Sequence, residues 1–313
     1  MTETNGLLVV NKEAGLTSHD VVNRVRRLFN MRKIGHTGTL DPEVTGVLVL
    51  CLGYATRLAE YLTAERKHYK AVIRLGISTT TQDATGTDLG TTSAEHITEE
   101  DVRNILPMFT GAIEQLPPMV SAVHHEGKRL YELARAGIEV ERNVRSVVIE
   151  KLSMNSFQQS VYPTAELEIT CSSGVYIRTL AFDIGEALGV GGHMVSLERT
   201  WVGKNELNCF HVNQAFSLQQ LTDMQADGCL REAVLPPIRA MEGYPTLLVE
   251  TEQLEDLKQG RSLDVNALKT SNCTCWPPEP DQPVVLIDKD ENLLALAKFM
   301  EGCLFPFKVF MHS

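Results

Sequence analysis

The stretch Arg32-Lys-Ile-Gly-His-Thr-Gly-Thr-Leu-Asp-Pro-Glu-Val-Thr-Gly46 sets glycines at 35, 38 and 46 around a single aspartate, Asp41. Val47-Leu-Val-Leu-Cys-Leu52 follows at once and reads as a strand, and a loop beside a strand can aim a carboxylate. Read locally, Asp41-Pro42 serves equally well to open a turn. Upstream, Ser18 is expected to cap a helix whose Val21, Val22, Val25, Leu28 and Phe29 recur at helical spacing. Its other face carries Arg24, Arg26 and Arg27, with Arg32 and Lys33 just beyond, which suits phosphate contact or simply a solvated surface. Before it, Gly6-Leu-Leu-Val-Val10 reads as a short buried strand.

Farther along, Ala55–Leu62 reads as a short helix and His68–Leu75 as an alternating strand. Residues 78–97, rich in Thr, Asp and Gly, are expected to be loop until Thr98-Glu-Glu-Asp101 starts a helix through Phe109. An irregular excursion is expected at 116–125, a short helix at Lys128–Ala136, and strands near 144–152 and 163–172. Gly174–Leu188 has a helical pattern stopped by Gly189, Gly191 and Gly192, strands resume over 193–211, and a helix follows at 217–225. Leu235-Pro-Pro237 marks a boundary. Beyond it, Val284–Ala297 reads as two strands about a polar turn, the core of a small β module over 237–313.

The 313 residues have 43% hydrophobic and 22% charged side chains, a balance that favours a folded α/β or α+β protein over a disordered one. The net charge of −11 argues against a wholly basic nucleic-acid binder. Residues 1–75 nevertheless hold 11 Lys and Arg against 7 Asp and Glu, so a phosphate surface belongs near the N-terminus. The longest apolar run, Val44–Leu52, is far short of the ~20 residues a bilayer helix needs. The polar start Met1-Thr-Glu-Thr-Asn-Gly6 lacks the pattern of an export signal, and a cytoplasmic location is expected. Of the 7 cysteines, Cys273-Thr-Cys275 is the one pair with ligand-like spacing; without a second pair or a nearby histidine, no metal is expected.

The run Gly35-His-Thr-Gly-Thr-Leu-Asp-Pro42 closely resembles the catalytic motif of the TruB family of tRNA pseudouridine synthases. Further similar segments follow in order: Lys12 with Gly15-Leu-Thr-Ser-His-Asp20, Cys51-Leu-Gly-Tyr-Ala-Thr-Arg57, Lys67-His-Tyr69, Thr79-Thr-Thr-Gln-Asp83, Ser121-Ala122, Lys128-Arg-Leu-Tyr131 and Cys171-Ser-Ser-Gly-Val-Tyr-Ile-Arg-Thr179. The resemblance spans residues 6 to about 235. Where the family has Lys-Pro, this chain has Lys12-Glu13.

The resemblance implies an α+β fold, a mostly antiparallel sheet flanked by helices. It implies a catalytic domain over 1–236 with an RNA-gripping insertion at about 117–143, and a C-terminal β module for which a PUA-like RNA-binding type is the candidate. The implied reaction converts uridine 55 in the T arm of tRNA to pseudouridine, with base flipping, no cofactor, and no obligate protein partner. By resemblance Asp41 is the nucleophile, Arg178 its cationic partner, and Tyr69 the ring that stacks on uracil. His36, Thr39, Lys12, Lys128 and Arg129 are implied RNA contacts, Asp83 lies near the pocket, and Leu197 forms an apolar wall. A flipped base needs new stacking partners, and a carboxylate in a closed pocket needs a nearby cation to stay ionised, so an aromatic ring and an arginine are expected there on physical grounds too. Two alternatives use other chemistry. A silent RNA-binding or tRNA-chaperone protein on the same scaffold could dispense with Asp41 or Arg178. A glycoside hydrolase would need a second carboxylate ~5–10 Å from the first, for which Asp83 is the weak candidate.

Overall fold

The computed structural model describes residues 4–119, 124–125, 128–129, 138, 140–270 and 276–310. The first elements are β1 (Gly6–Lys12), α1 (Ser18–Phe29), β2 (Ile34–His36), β3 (Thr45–Leu52), α2 (Ala59–Ala64), β4 (Arg66–Leu75), β5 (Ile77–Thr79), β6 (Asp88–Thr91), α3 (Glu99–Ile105) and β7 (Gly111–Gln115). Then come β8 (His124–His125), β9 (Lys128–Arg129), β10 (Arg145–Gln158), β11 (Thr164–Cys171), α4 (Ile177–Ala187), β12 (Gly192–Gly203), β13 (Cys209–His211) and α5 (Leu218–Ala226). The tail adds β14 (Thr246–Leu248), α6 (Leu254–Lys258), β15 (Leu263–Asp264), β16 (Lys269–Thr270), β17 (Val284–Ile287), β18 (Leu293–Met300) and β19 (Cys303–Val309).

Among the described residues, nine strands form one sheet in the order β1-β3-β12-β4-β11-β10-β7, with β2 paired to β3 and β13 to β12. Its pairings are antiparallel except for the short β3–β12 contact, in keeping with the expected architecture. The apolar runs of β1 and β3 are continuous because the sheet is covered on both faces. Leu8, Val10, Leu48 and Leu50 point to α1, α4 and α5, whereas Leu7, Val9, Val47 and Val49 point to the tail, where Val285, Ile287, Leu296 and Phe310 meet them. The tail strands form a second sheet, β15-β19-β18-β17-β14-β16, with a further apolar cluster of its own.

Local expectations shift in places. Thr17, not Ser18, caps α1 through a box with Asp20, because Ser18 faces inward and its hydroxyl is engaged elsewhere. The 78–97 segment is not all loop, since β5 and β6 pair across it. The helix expected from Lys128 begins instead with Lys128 and Arg129 paired to His125 and His124. The remainder of that helix, Ser121-Ala122 and most of the expected gripping insertion lie outside the described residues, as do Cys273 and Cys275.

Candidate active site

Asp41 stands in the loop joining β2 to β3, and the backbone on both sides of it is tied down. The Ser18 hydroxyl donates to the Leu40 carbonyl at 3.1 Å and accepts from the Leu40 N–H at 2.8 Å. On the other side the Pro42 carbonyl accepts from Lys12 Nζ at 2.8 Å and from the Gly15 N–H at 3.0 Å. Lys12 also donates to the Glu13 and Leu16 carbonyls. Lys12, implied by the resemblance as an RNA contact, turns its ammonium onto these carbonyls. It is fully buried, and burial lowers its pKa to about 8 against the raising pull of Glu43 and Asp41. Gly46 closes the loop with φ +101°, and a Cβ there would come within 2.2 Å of the Arg199 carbonyl, so β12 can cross β3 only over a glycine.

Arg178, the second residue of α4, is buried with 5% of its side chain exposed and reaches two carboxylates. One guanidinium nitrogen lies 3.2 Å from Asp41 Oδ2 and another 3.6 Å from Asp83 Oδ2. The 137 residues between Asp41 and Arg178 in sequence thus close to contact through the fold. Asp83 is oriented by the hydroxyls of Thr81 and Thr85 at 2.7 and 2.6 Å and by the Thr85 N–H at 2.9 Å. The Thr179 hydroxyl also donates to Gln82, so the 79–86 loop is clipped to the start of α4 at two points. The peptide before that helix is held by Gln115, which accepts from the Tyr176 N–H at 3.0 Å and donates to its carbonyl.

These groups open on a cleft of about 260 Å³ lined by Thr39, Asp41, Tyr69, Arg178 and Leu197, among others. Tyr69 on β4 faces Arg199 across the β12 ladder, with Leu197 opposite Ala71. Burial pushes the Asp41 carboxyl above its ordinary value, Arg178 pulls it back down, and the Asp83 charge adds to the rise. Burial likewise raises the Tyr69 phenol, opposed by the neighbouring Arg199 guanidinium. Arg199 is itself buried and donates to the Val47 and Gly38 carbonyls.

The fold brings together Asp41, Arg178, Asp83, Tyr69, Thr39 and Leu197. His36 sits at the end of β2 opposite Leu50, outside the cleft, and Lys128 and Arg129 lie in the β8–β9 ladder. Ser18, Gln115, Lys67 and Arg199 had drawn no site role from sequence. Lys67 carried a readable signal: it shares the inward phase of β4 with Tyr69, Ala71, Ile73 and Leu75, an odd place for an ammonium. Among the described residues no group of three or more His, Cys, Asp or Glu side chains is placed to hold a metal ion.

The fold is shared with a chain in the crystal structure of a Cbf5–Nop10–Gar1 complex, with a TM-score of 0.74 and 26% identity over 98% of this chain and 85% of that one. The antiparallel sheet with its aspartate loop and arginine-bearing helix is the pseudouridine synthase fold. A family model described as the TruB family pseudouridylate synthase N-terminal domain matches residues 26–177, and one described as the tRNA pseudouridylate synthase B C-terminal domain matches residues 178–242. The tRNA pseudouridine synthase B of Symbiobacterium thermophilum is 46% identical over 79% of both chains. That of Dehalococcoides mccartyi is 39% identical over 98% of this chain and 97% of its own. The chain belongs to the TruB family of pseudouridylate synthases.

Proposed function

We propose that the protein isomerises uridine 55 in the T arm of tRNA to pseudouridine. The observation that carries this reading is the ion pair of Asp41 with Arg178 in the cleft beside Tyr69, in a chain of this family. The N1–C1′ glycosidic bond breaks, the base turns within the cleft, and a C5–C1′ bond forms. The proton lost from C5 is balanced by one gained at N1, so the reaction needs no redox partner and no energy source. In this reading Asp41 acts at the sugar carbon as nucleophile, as one carboxylate does in retaining glycosidases. Arg178 orients Asp41 and favours its ionised form through charge-assisted hydrogen bonds. Asp83 fixes the other edge of that guanidinium. Tyr69 stacks on the flipped uracil and Leu197 walls it.

Thr39, His36, Lys128 and Arg129 are assigned to RNA contact, with the basic face of α1 and the insertion at about 117–143 gripping the arm. Residues 1–236 act as the catalytic unit and 237–313 as a PUA-like accessory to RNA binding. The partner is tRNA, with no membrane and no obligate protein partner, and the working location is the cytoplasm. Among the described residues no helix is long and apolar enough to cross a membrane.

The test is tritium release from a T-arm stem-loop labelled at C5 of the target uridine. Release in step with pseudouridine formation is expected. A hairpin that is bound but releases no tritium would leave the silent RNA-binding reading in its place.

A further inference from the structure

Heterolysis of the N1–C1′ bond leaves its electron pair on the base, so the detached uracil is an anion with charge shared among N1, O2 and O4. A cleft that excludes water must offer that charge something in place of solvent. The ion triad is ill suited to it. Arg178 sits between two carboxylates, so Asp41, Arg178 and Asp83 together carry one net negative charge.

Two other cations line the same cleft: Lys67 and Arg199. They are 6% and 2% exposed, and among the described residues neither is in an ion pair with a carboxylate. Lys67 Nζ donates to the Thr63 and Glu65 carbonyls at 2.5 Å each, two of the three bonds an ammonium can make. Arg199 Nε donates to the Val47 carbonyl at 2.8 Å, and one of its terminal nitrogens to Gly38 at 3.1 Å. Carbonyl partners fix both groups in place without cancelling their charge. A buried cation so held is costly unless an anion arrives to meet it, and burial already lowers the Lys67 pKa to about 8.

Their placement names that anion. Lys67 and Tyr69 lie two residues apart on one face of β4, and Arg199 is the β12 residue directly opposite Tyr69. The two cations therefore flank the ring on which the base stacks in the proposed reaction. The geometry points to Lys67 and Arg199 as a cationic floor that stabilises the uracil anion between detachment from N1 and reattachment through C5. This inference rests on the functional reading above and adds to it a division of labour. The Asp41–Arg178–Asp83 triad serves the electron-poor sugar, and the Lys67–Arg199 pair serves the electron-rich base.

The experiment compares two T-arm hairpins under single turnover, one with uridine and one with 5-fluorouridine at the target position. Fluorine withdraws electrons and stabilises the detached base by itself, so that substrate depends less on the cations. Conversion is read, after digestion to nucleosides and chromatography, as loss of the target nucleoside for the wild type, Lys67→Met, Arg199→Lys and Arg199→Met, because the fluorinated ring has no C5 proton to release and, once joined through C5 with its fluorine kept, takes up water across N1 and C6 instead. Lys67→Met and Arg199→Met should slow uridine by on the order of a hundredfold or more and 5-fluorouridine by less than about tenfold. Arg199→Lys should fall between Arg199→Met and the wild type. Hairpin affinity should stay within about threefold, since the phosphate contacts are untouched. Lys67→Met is close to isosteric and Arg199→Lys keeps the charge, so the comparison does not depend on Arg199→Met folding. Equal losses on both hairpins would make the two residues purely structural braces and overturn the inference, as would no loss at all. Failure of the wild type to convert uridine would instead overturn the functional reading, before any variant is compared.

Discussion

Replacing Arg178 with Met removes a buried cation from between two carboxylates, and the cost to catalysis should depend on pH. Unit charges ~4 Å apart at an effective dielectric of about 20 attract by about 4 kcal/mol. The Asp41 side chain is 40% exposed, so solvent screening leaves roughly half of this, about 2 kcal/mol favouring the ionised carboxylate. Loss of the charge-assisted hydrogen bond that orients Asp41 adds about 1–2 kcal/mol that does not depend on pH. Together these predict a fall of ~10²–10³ in the single-turnover rate on the acidic limb. Burial already holds the Asp41 pKa above its ordinary value, and the Arg178 charge does the most to oppose that rise. Without it the carboxyl is protonated over a wider range, so the acidic limb moves to higher pH. Once the medium is basic enough to ionise Asp41 in the variant, only the orientational part, about tenfold, should remain. Arg178→Lys keeps the charge and loses the planar fork, so its deficit should be nearly flat with pH. The assay is tritium release from the labelled hairpin at saturating enzyme, with thermal melts confirming the fold. An Arg178→Met enzyme with the wild-type rate and an unshifted profile would refute the pairing as a catalytic device, and a pH-independent deficit would refute its electrostatic part.

Asp41→Asn should abolish isomerisation while tRNA affinity, measured by filter binding, changes by less than about tenfold or ~1.4 kcal/mol; turnover by the pure variant would remove Asp41 as nucleophile. Ser18→Ala leaves the buried Leu40 amide and carbonyl without their shared hydroxyl and should cost about 1–3 kcal/mol in urea unfolding, with a lower kcat at little-changed KM as the loop loosens. Unchanged stability and kcat would show that Leu40 needs no such tie. EDTA should leave activity intact, because the described site contains no metal-ligand cluster; loss restored by zinc would redirect attention to Cys273 and Cys275.

Strand phase and the spacing of glycines were readable in the sequence because each is a local rule. The alternation of β4 follows from period two and the burial of β1 and β3 on both faces from their unbroken apolar runs, and together they place the sheet on which the cleft rests. The meeting of Asp41, Arg178 and Asp83 was legible only through resemblance, since no local rule links residues 41 and 178. What stayed hidden was how the loop is held. Lys12 entered only as an RNA contact implied by resemblance, and nothing local shows that its ammonium is buried against three carbonyls, one of them the carbonyl of the residue after Asp41. Ser18 reads as a cap because serine favours that position, but Thr17 takes the cap and frees Ser18 to grip the residue before Asp41. Both placements have one cause. A polar side chain at a helix start or strand end has several partners of nearly equal merit within its own segment, and a backbone group brought from elsewhere decides among them. The same holds for Lys67, whose inward phase on β4 was readable while the carbonyls that hold it were not, whereas Arg199 lies in a buried run of β12 where no alternation singles it out. A cation on the buried phase of a strand, with no acidic residue in register to meet it, is therefore the sequence feature to follow into the fold.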